Sequence, residues 1–315
     1  MLTYILFIFG FVILIKGADY LVEGASAIAK QLGWTSLFIG LTIVAFGTSA
    51  PEFFVNLIAS VEGRSGIVVG TILGSNIVNI LLILGTAALI TPLTVNVTTV
   101  SRQIPLSLLA VVVLAVLVND KFITHESFNI LSRGDGLILI FFFIIFLYSI
   151  VSTMHIKGQK IPIKKHKRLK SSLMILGGCV LLILGGKWIV DGAVQIAQFL
   201  GVKESIIGLT VIAIGTSLPE LAASGVAAYK GKTDIAVGNI IGSNIFRIFW
   251  ILGISALIRP VEFSANLNFD ILIVGAATIL LLVALYTNKK RILERWEGYT
   301  FIILYILYIG FIVYR

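Results

Sequence analysis

The sequence predicts an all-α polytopic membrane protein of ten transmembrane helices, built as two inverted five-helix repeats with broken helices at the midplane. Three observations carry this reading. Of the 315 residues, 58% are hydrophobic and only 12% charged, with a mean hydropathy of +1.06. That is roughly half the charge of an ordinary soluble domain. Apolar stretches of about 20 residues, the length a helix needs to cross a bilayer, recur along the chain. Finally, one long stretch of sequence occurs twice.

The spans read, in order, at 2–21, 36–60, 66–90, 104–118, 136–154, 171–190, 206–229, 235–258, 269–287 and 299–314. Runs such as 137–150 (LILIFFFIIFLYSI) do not alternate, which argues against a membrane barrel. The composition excludes an ordinary soluble enzyme, a disordered chain and a secreted disulfide scaffold. Cys179 has no second cysteine to pair with. His125, His155 and His166 fall in or beside polar loops, so no histidine-based metal or general-base chemistry is expected within the spans. Met1–Ile15 has no positively charged start and reads as part of the first span rather than a cleavable leader.

The net charge of +9 is concentrated locally. Lys157, Lys160, Lys164, Lys165, Lys167, Arg168 and Lys170 lie together without an acid between them. Between two spans this reads as a cytoplasmic loop under the positive-inside rule rather than a nucleic-acid patch. With that loop inside, both termini lie outside. Lys30, Arg102, Lys230, Lys232, Lys289, Lys290, Arg291 and Arg295 then fall on the inner side. The expected organisation is one integral domain, 1–315, in the plasma membrane. Its first repeat is 1–154, its basic linker 155–170 and its second repeat 171–315. The lipid bilayer and small cations are the expected partners, with no nucleic acid and no obligate protein partner.

Sliding Gly17–Pro92 onto Gly185–Pro260 needs a constant offset of 168 and no gap. Close to half of the aligned positions are identical, glycines, prolines and acids among them. Five spans per half is an odd number, so the second copy is upside down relative to the first. Inverted repeats are the build of many secondary transporters, which bind their substrate near the midplane where the repeats meet.

Within the second span of each half sits GTSxPE, at Gly47–Glu52 and Gly215–Glu220. Pro51 and Pro219 cannot donate a helical hydrogen bond and crowd the carbonyls of Gly47 and Gly215. Each span is expected to kink or break here and leave carbonyl oxygens free. Thr48, Ser49 and Glu52 share one helix face by their spacing. A buried acid costs about 2.5–3.5 kcal/mol on membrane-insertion scales, so two at matched positions call for a cation. Carboxylate, hydroxyl and carbonyl oxygens are hard ligands that suit Na⁺ or Ca²⁺.

The third span of each half carries Gly74-Ser75-Asn76 and Gly242-Ser243-Asn244, with Asn79 and Arg247 four residues beyond each serine. The glycines here, as in Gly70–Gly74, also suit close helix packing. Asn76 and Asn244 read as ties to backbone groups rather than ligands. Asp19, Glu23, Lys187 and Asp191 read as caps or interfacial anchors. Glu62, Arg64, Lys230 and Lys232 read as solvated loop charges. Trp34, Trp188, Trp250 and Trp296 read as belt or packing residues.

The paired GTSxPE and GSN blocks resemble the two α-repeats of the sodium/calcium exchanger family within the wider cation/Ca²⁺ exchangers. The resemblance covers both repeats, about half of the chain. It implies four ion positions between the repeats, alternately exposed as the first and sixth spans slide across the others. Carried over by position, the implied ligands are Thr48, Ser49, Glu52, Ser75 and Asn79, with Thr216, Ser217, Glu220 and Ser243. The carbonyls of Ala45 and Ala213 complete the set, with Glu52, Glu220, Thr48 and Thr216 as its centre.

Arg247 departs from the family pattern, which places Asn or Asp at both positions four beyond the serine. With both glutamates ionised, it brings the site from −2 to −1. It acts as a fixed cation in one ion position, or it pairs structurally with a glutamate or points away. The preferred reading is a Na⁺/Ca²⁺ antiporter with no cofactor and no enzymatic activity. The alternative that Arg247 raises is an H⁺-coupled or Na⁺-independent cation/Ca²⁺ exchanger. A channel on the same repeats is a further rival. An intramembrane hydrolase lacks a HExxH motif.

Overall fold

The computed structural model describes residues 2–120, 129–151, 168–199, 213–287 and 291–314. Ten helical segments follow one another among the described residues. They are α1 (Leu2–Leu32), α2 (Ser36–Val61), α3 (Ser65–Ile90), α4 (Thr99–Leu117), α5 (Arg133–Val151) and α6 (Arg168–Phe199). The series continues with α7 (213–229), α8 (Thr233–Ile258), α9 (Asn268–Thr287) and α10 (Arg295–Tyr314). Among the described residues, eight helices are long and apolar enough to cross a membrane. Ile8 on α1, Phe141 on α5, Leu176 on α6 and Leu307 on α10 all face outward. Water would solvate such a surface poorly, whereas a bilayer matches it.

Most of the basic linker, together with the histidines and residues 206–212 of the seventh span, lies outside the described residues. Helix α1 runs to Leu32 rather than stopping near residue 21, and α6 runs from Arg168 to Phe199 rather than over 171–190. Hydropathy ends the first span early because Asp19 and Glu23 break the apolar run. Alanines 25, 27 and 29 nevertheless continue the helix, and the two acids have a partner: Lys230 is ion-paired with Asp19 and lies 3.8 Å from Glu23.

The two halves interleave at close backbone contacts. A Cβ on Gly17 would lie 2.9 Å from the Gly178 carbonyl oxygen, and one on Gly10 would lie 3.0 Å from that of Gly185, so α1 and α6 run antiparallel at near contact. Gly85 of α3 meets Gly298 of α10, and Gly253 of α8 meets Gly136 of α5. Gly238 and Gly242 of α8 press on the Gly40–Leu41 backbone of α2. Residues 208 and 209, the repeat equivalents of Gly40 and Leu41, lie outside the described residues.

Two short antiparallel ladders join the connections. β1 (Leu93–Thr94) pairs with β4 (Ile292–Leu293), and β2 (Ile130–Leu131) pairs with β3 (Val261–Glu262). The loop between α3 and α4 therefore lies beside that between α9 and α10. The loop between α4 and α5 lies beside that between α8 and α9. An inverted five-span repeat puts these loops on matching sides.

The loop between α7 and α8 corrects the expectation that both its lysines are solvated. Lys232 is 8% exposed, and its Nζ donates to Ser26 Oγ of α1 at 2.9 Å. Burial, reinforced by neighbouring Lys230 and opposed by Glu23 and Asp19, lowers the Lys232 pKa to about 8. Below pH 8 the lysine is charged in both the folded and unfolded chains, so its contribution is flat. Above pH 8, and up to the ordinary lysine value, only the unfolded chain keeps the proton, so stability rises with pH. In detergent, the wild-type melting temperature relative to Lys232→Met is expected to climb between pH 8 and 10. A constant difference would mean that Lys232 stays charged.

Candidate cation site

Helices α2, α3, α7 and α8 build the site, and three of them carry a wider, i→i+5 hydrogen-bonded turn. These π-turns cover Gly40–Val44 in α2, Val78–Leu84 in α3 and Phe246–Ile251 in α8. The last two follow the GSN blocks directly and stand at repeat-related positions. A π-turn interrupts the regular hydrogen-bond ladder and re-aims side chains, often at functional sites. Arg247 sits on the α8 turn and Asn79 on the α3 turn.

The two GTSxPE motifs solve the proline problem differently. In α7 the helix breaks at Ser217 (φ −95°, ψ 3°) and restarts at Leu218, with Pro219 in its first turn, where no N–H is needed. Helix α2 instead runs unbroken through Pro51, with its irregular turn upstream at Gly40–Val44. The expected break thus holds for the second half, while the first half is distorted earlier. Both motif glycines make room for α6. A Cβ on Gly47 would lie 2.8 Å from Cys179 Sγ, and one on Gly215 would lie 2.2 Å from Val190 Cγ2.

Glu52, Glu220 and Arg247 meet in the interior, with side chains 2%, 0% and 0% exposed. Arg247 Nε donates to Glu52 Oε2, and Arg247 Nη2 donates to Glu220 Oε1 at 2.8 Å. Arg247 Nη1 reaches the Ser75 carbonyl oxygen at 3.4 Å. The arginine therefore points into the site and bridges both acids, which removes the option that it points away.

The hydroxyls of the first half reach across to the second. Ser49 Oγ donates to Glu220 Oε1 at 2.9 Å and lies 3.1 Å from Ser243 Oγ. Thr48 Oγ1 lies 3.3 Å from the Ala45 carbonyl oxygen and 3.2 Å from Asn239 Oδ1. Ser243 Oγ lies 3.5 Å from that same Ala45 carbonyl, which therefore faces the cluster. In the second half, Ala213 and Thr216 form the short helical turn before the break, and Ser217 is buried beside it.

Several buried polar atoms of this cluster have no hydrogen-bond partner among the described residues. They are Glu52 Oε1, Glu220 Oε2, Ser217 Oγ, Asn76 Oδ1, Asn79 Oδ1 and, as a donor, Asn244 Nδ2. A buried polar atom without a partner costs about 1–3 kcal/mol, more if charged. Most of this set are oxygens able to accept, the donor type that hard cations take. Asn79 Nδ2 donates to Asn244 Oδ1 at 2.8 Å, and Asn76 Nδ2 to the Asn244 carbonyl at 3.4 Å. Asn76 thus ties a backbone group, as expected, whereas the Asn244 side chain holds the Asn79 amide instead.

Sequence reasoning missed a second polar layer. Asn239 Nδ2 donates to Ser224 Oγ at 2.9 Å, while Thr71 Oγ1 donates to Asn56 Oδ1 at 3.0 Å. Asn56 and Ser224 are repeat-related, as are Thr71 and Asn239, so each half makes one amide–hydroxyl bridge with the residue types exchanged. Polar residues at corresponding places in both copies were the available signal.

Comparisons with known proteins agree with this architecture. Residues 2–151 and 170–314 match the family described as sodium/calcium exchanger protein. The chain is 32% identical over 346 residues to the sodium/calcium exchanger MaX1 of Methanosarcina acetivorans, covering 99% of this chain and 97% of that one. It is 40% identical over 268 residues to the inner membrane protein YrbG of Escherichia coli, covering 82% and 80%. A solved structure of the sodium-calcium exchanger NCX_Mj superposes with a TM-score of 0.84 at 32% identity, covering 98% of each chain. With ten helical segments among the described residues, two interleaved copies of one repeat and paired buried glutamates at their junction, the chain belongs to the sodium/calcium exchanger family.

Proposed function

We propose that the protein exchanges Na⁺ for Ca²⁺ through one pocket at the junction of the repeats, by alternating access. The observation that carries this is the convergence of Glu52 and Glu220, from repeat-related motifs, in one buried cluster of oxygen atoms. The ligands are the carboxylates of Glu52 and Glu220, the hydroxyls of Thr48, Ser49, Ser75, Thr216, Ser217 and Ser243, and the Asn79 amide oxygen. The carbonyls of Ala45 and Ala213 complete the set.

Coupling follows from competition. Either ion neutralises the carboxylates, the two cannot fill the same oxygens together, and a pocket left negative crosses the low-dielectric interior poorly. Helices α1 and α6, which lean mainly on one another, move as a pair and open the pocket to alternate sides. The chain acts as one integral unit in the plasma membrane, the halves 1–154 and 171–315 joined by the 155–170 linker. Both termini lie outside and the basic linker inside. Lipid and small cations are its partners, and the ions are cargo.

Radiolabelled Ca²⁺ uptake into proteoliposomes tests this. Uptake is expected from Na⁺-loaded vesicles and not from K⁺- or choline-loaded ones. Uptake that ignores Na⁺ but follows an imposed pH gradient would overturn the reading in favour of H⁺ exchange.

A further inference from the structure

Arg247 holds the place of an ion. Its guanidinium takes one oxygen from each carboxylate, Glu52 Oε2 and Glu220 Oε1, and reaches the Ser75 carbonyl at 3.4 Å. The other carboxylate oxygens, Glu52 Oε1 and Glu220 Oε2, have no hydrogen-bond partner among the described residues. One positive group thus bridges the two acids as a shared cation would, and leaves one acceptor in each half. The repeat-related position is Asn79, a neutral amide whose Oδ1 also lacks a partner among the described residues. With both glutamates ionised, the pocket is therefore asymmetric and carries −1 where the glutamates alone would give −2.

A guanidinium does not shed its proton at any working pH. Its charge is present when the pocket holds monovalent ions and when it holds a divalent ion. A salt-bridged, fully buried arginine is also held in place, because leaving would expose two uncompensated carboxylates to a low dielectric.

We propose that Arg247 is a tethered cation that takes the place of one transported monovalent ion, so that each cycle moves one Na⁺ fewer per Ca²⁺ than the same pocket would with a neutral residue there. This rests on the exchange reading above. The divalent-loaded form still holds its single ion, using the oxygens that Arg247 leaves. The monovalent-loaded form has one position filled from within the chain. The substitution sets the energetics of transport, because fewer Na⁺ per Ca²⁺ gives a weaker pull on Ca²⁺ from the same Na⁺ gradient.

The test is the Na⁺ gradient at which net Ca²⁺ flux vanishes in proteoliposomes, compared among wild type, Arg247→Asn and Arg247→Lys. Arg247→Asn is expected to show a Na⁺:Ca²⁺ ratio higher by one, and Arg247→Lys the wild-type ratio. Equal ratios in wild type and Arg247→Asn overturn the proposal. Should Arg247→Asn fail to fold, the rise of melting temperature with log[Na⁺] counts bound Na⁺ in wild type and Arg247→Gln. One more ion in the variant supports the proposal, and an equal count overturns it. A wild type with no Na⁺-coupled flux overturns the exchange reading instead, and the Na⁺ count still decides the role of Arg247.

Discussion

Glu52→Gln is expected to cut Ca²⁺ uptake by more than 100-fold, and Glu220→Gln to do the same, each with the protein still folded. The two carboxylates are 2% and 0% exposed and share Arg247 between them. Neutralising either takes the pocket from −1 to zero, so that a bound Ca²⁺ adds two charges with no compensation in a medium that screens weakly. Removing one partner from a buried ion pair costs about 3–5 kcal/mol, which in binding is a loss of more than 100-fold. Glutamine keeps the shape and can still accept from Arg247, so the effect falls on ions more than on the fold. Initial Ca²⁺ flux at matched protein, with a thermal melt on the same sample, separates the two. Uptake above a tenth of wild type from folded Glu52→Gln protein would remove Glu52 from the ion site. Symmetry sharpens the prediction, because the two substitutions should fail alike although only Glu220 also accepts from Ser49.

The second large effect lies away from the ions, where α1 crosses α6. A Cβ on Gly17 would lie 2.8 Å from Leu182 N and 2.9 Å from Gly178 O. On Gly178 it would lie 2.7 Å from Leu21 N and 2.8 Å from Gly17 O. These are backbone atoms that cannot rotate aside, so a side chain forces the helices apart. Overpacking of this kind costs about 1–3 kcal/mol. Gly17→Val and Gly178→Val are expected to lower the melting temperature and cut exchange more than tenfold, because the pair no longer moves as a unit. Gly177→Val, one residue along the same helix, is the control. A Cβ there meets nothing within 4 Å among the described residues, and near-normal flux is expected. Normal exchange in both Gly17→Val and Gly178→Val would show that the close crossing is not needed for transport.

Much of this architecture is legible in the sequence. Hydropathy places most of the spans because a bilayer demands a long apolar helix at each crossing. The gapless duplication shows the inversion and picks out Glu52 and Glu220, since acids and prolines at matched positions cannot come from apolar composition. Helix ends were less legible. Asp19 and Glu23 look like the close of a span until Lys230 is found paired with them. Lys232 looks solvated until α1 is laid over it. The proline motif marks both halves, yet only α7 breaks, at Ser217.

The direction of Arg247, the reach of Ser49 to Glu220 and the bridge from Thr48 to Asn239 were decided by tertiary structure alone. The reason is physical. A repeat reveals which residues correspond, but an internal alignment says nothing about how α2 of one copy is set against α8 of the other. That setting follows from Gly238 and Gly242 pressing on Gly40 and Leu41. It is this contact that brings one half's hydroxyls to the other half's carboxylate. The sequence by itself determined the spans, their inversion and the acids, and the packing of one half into the other decided which oxygens face the ions and which charge faces them first.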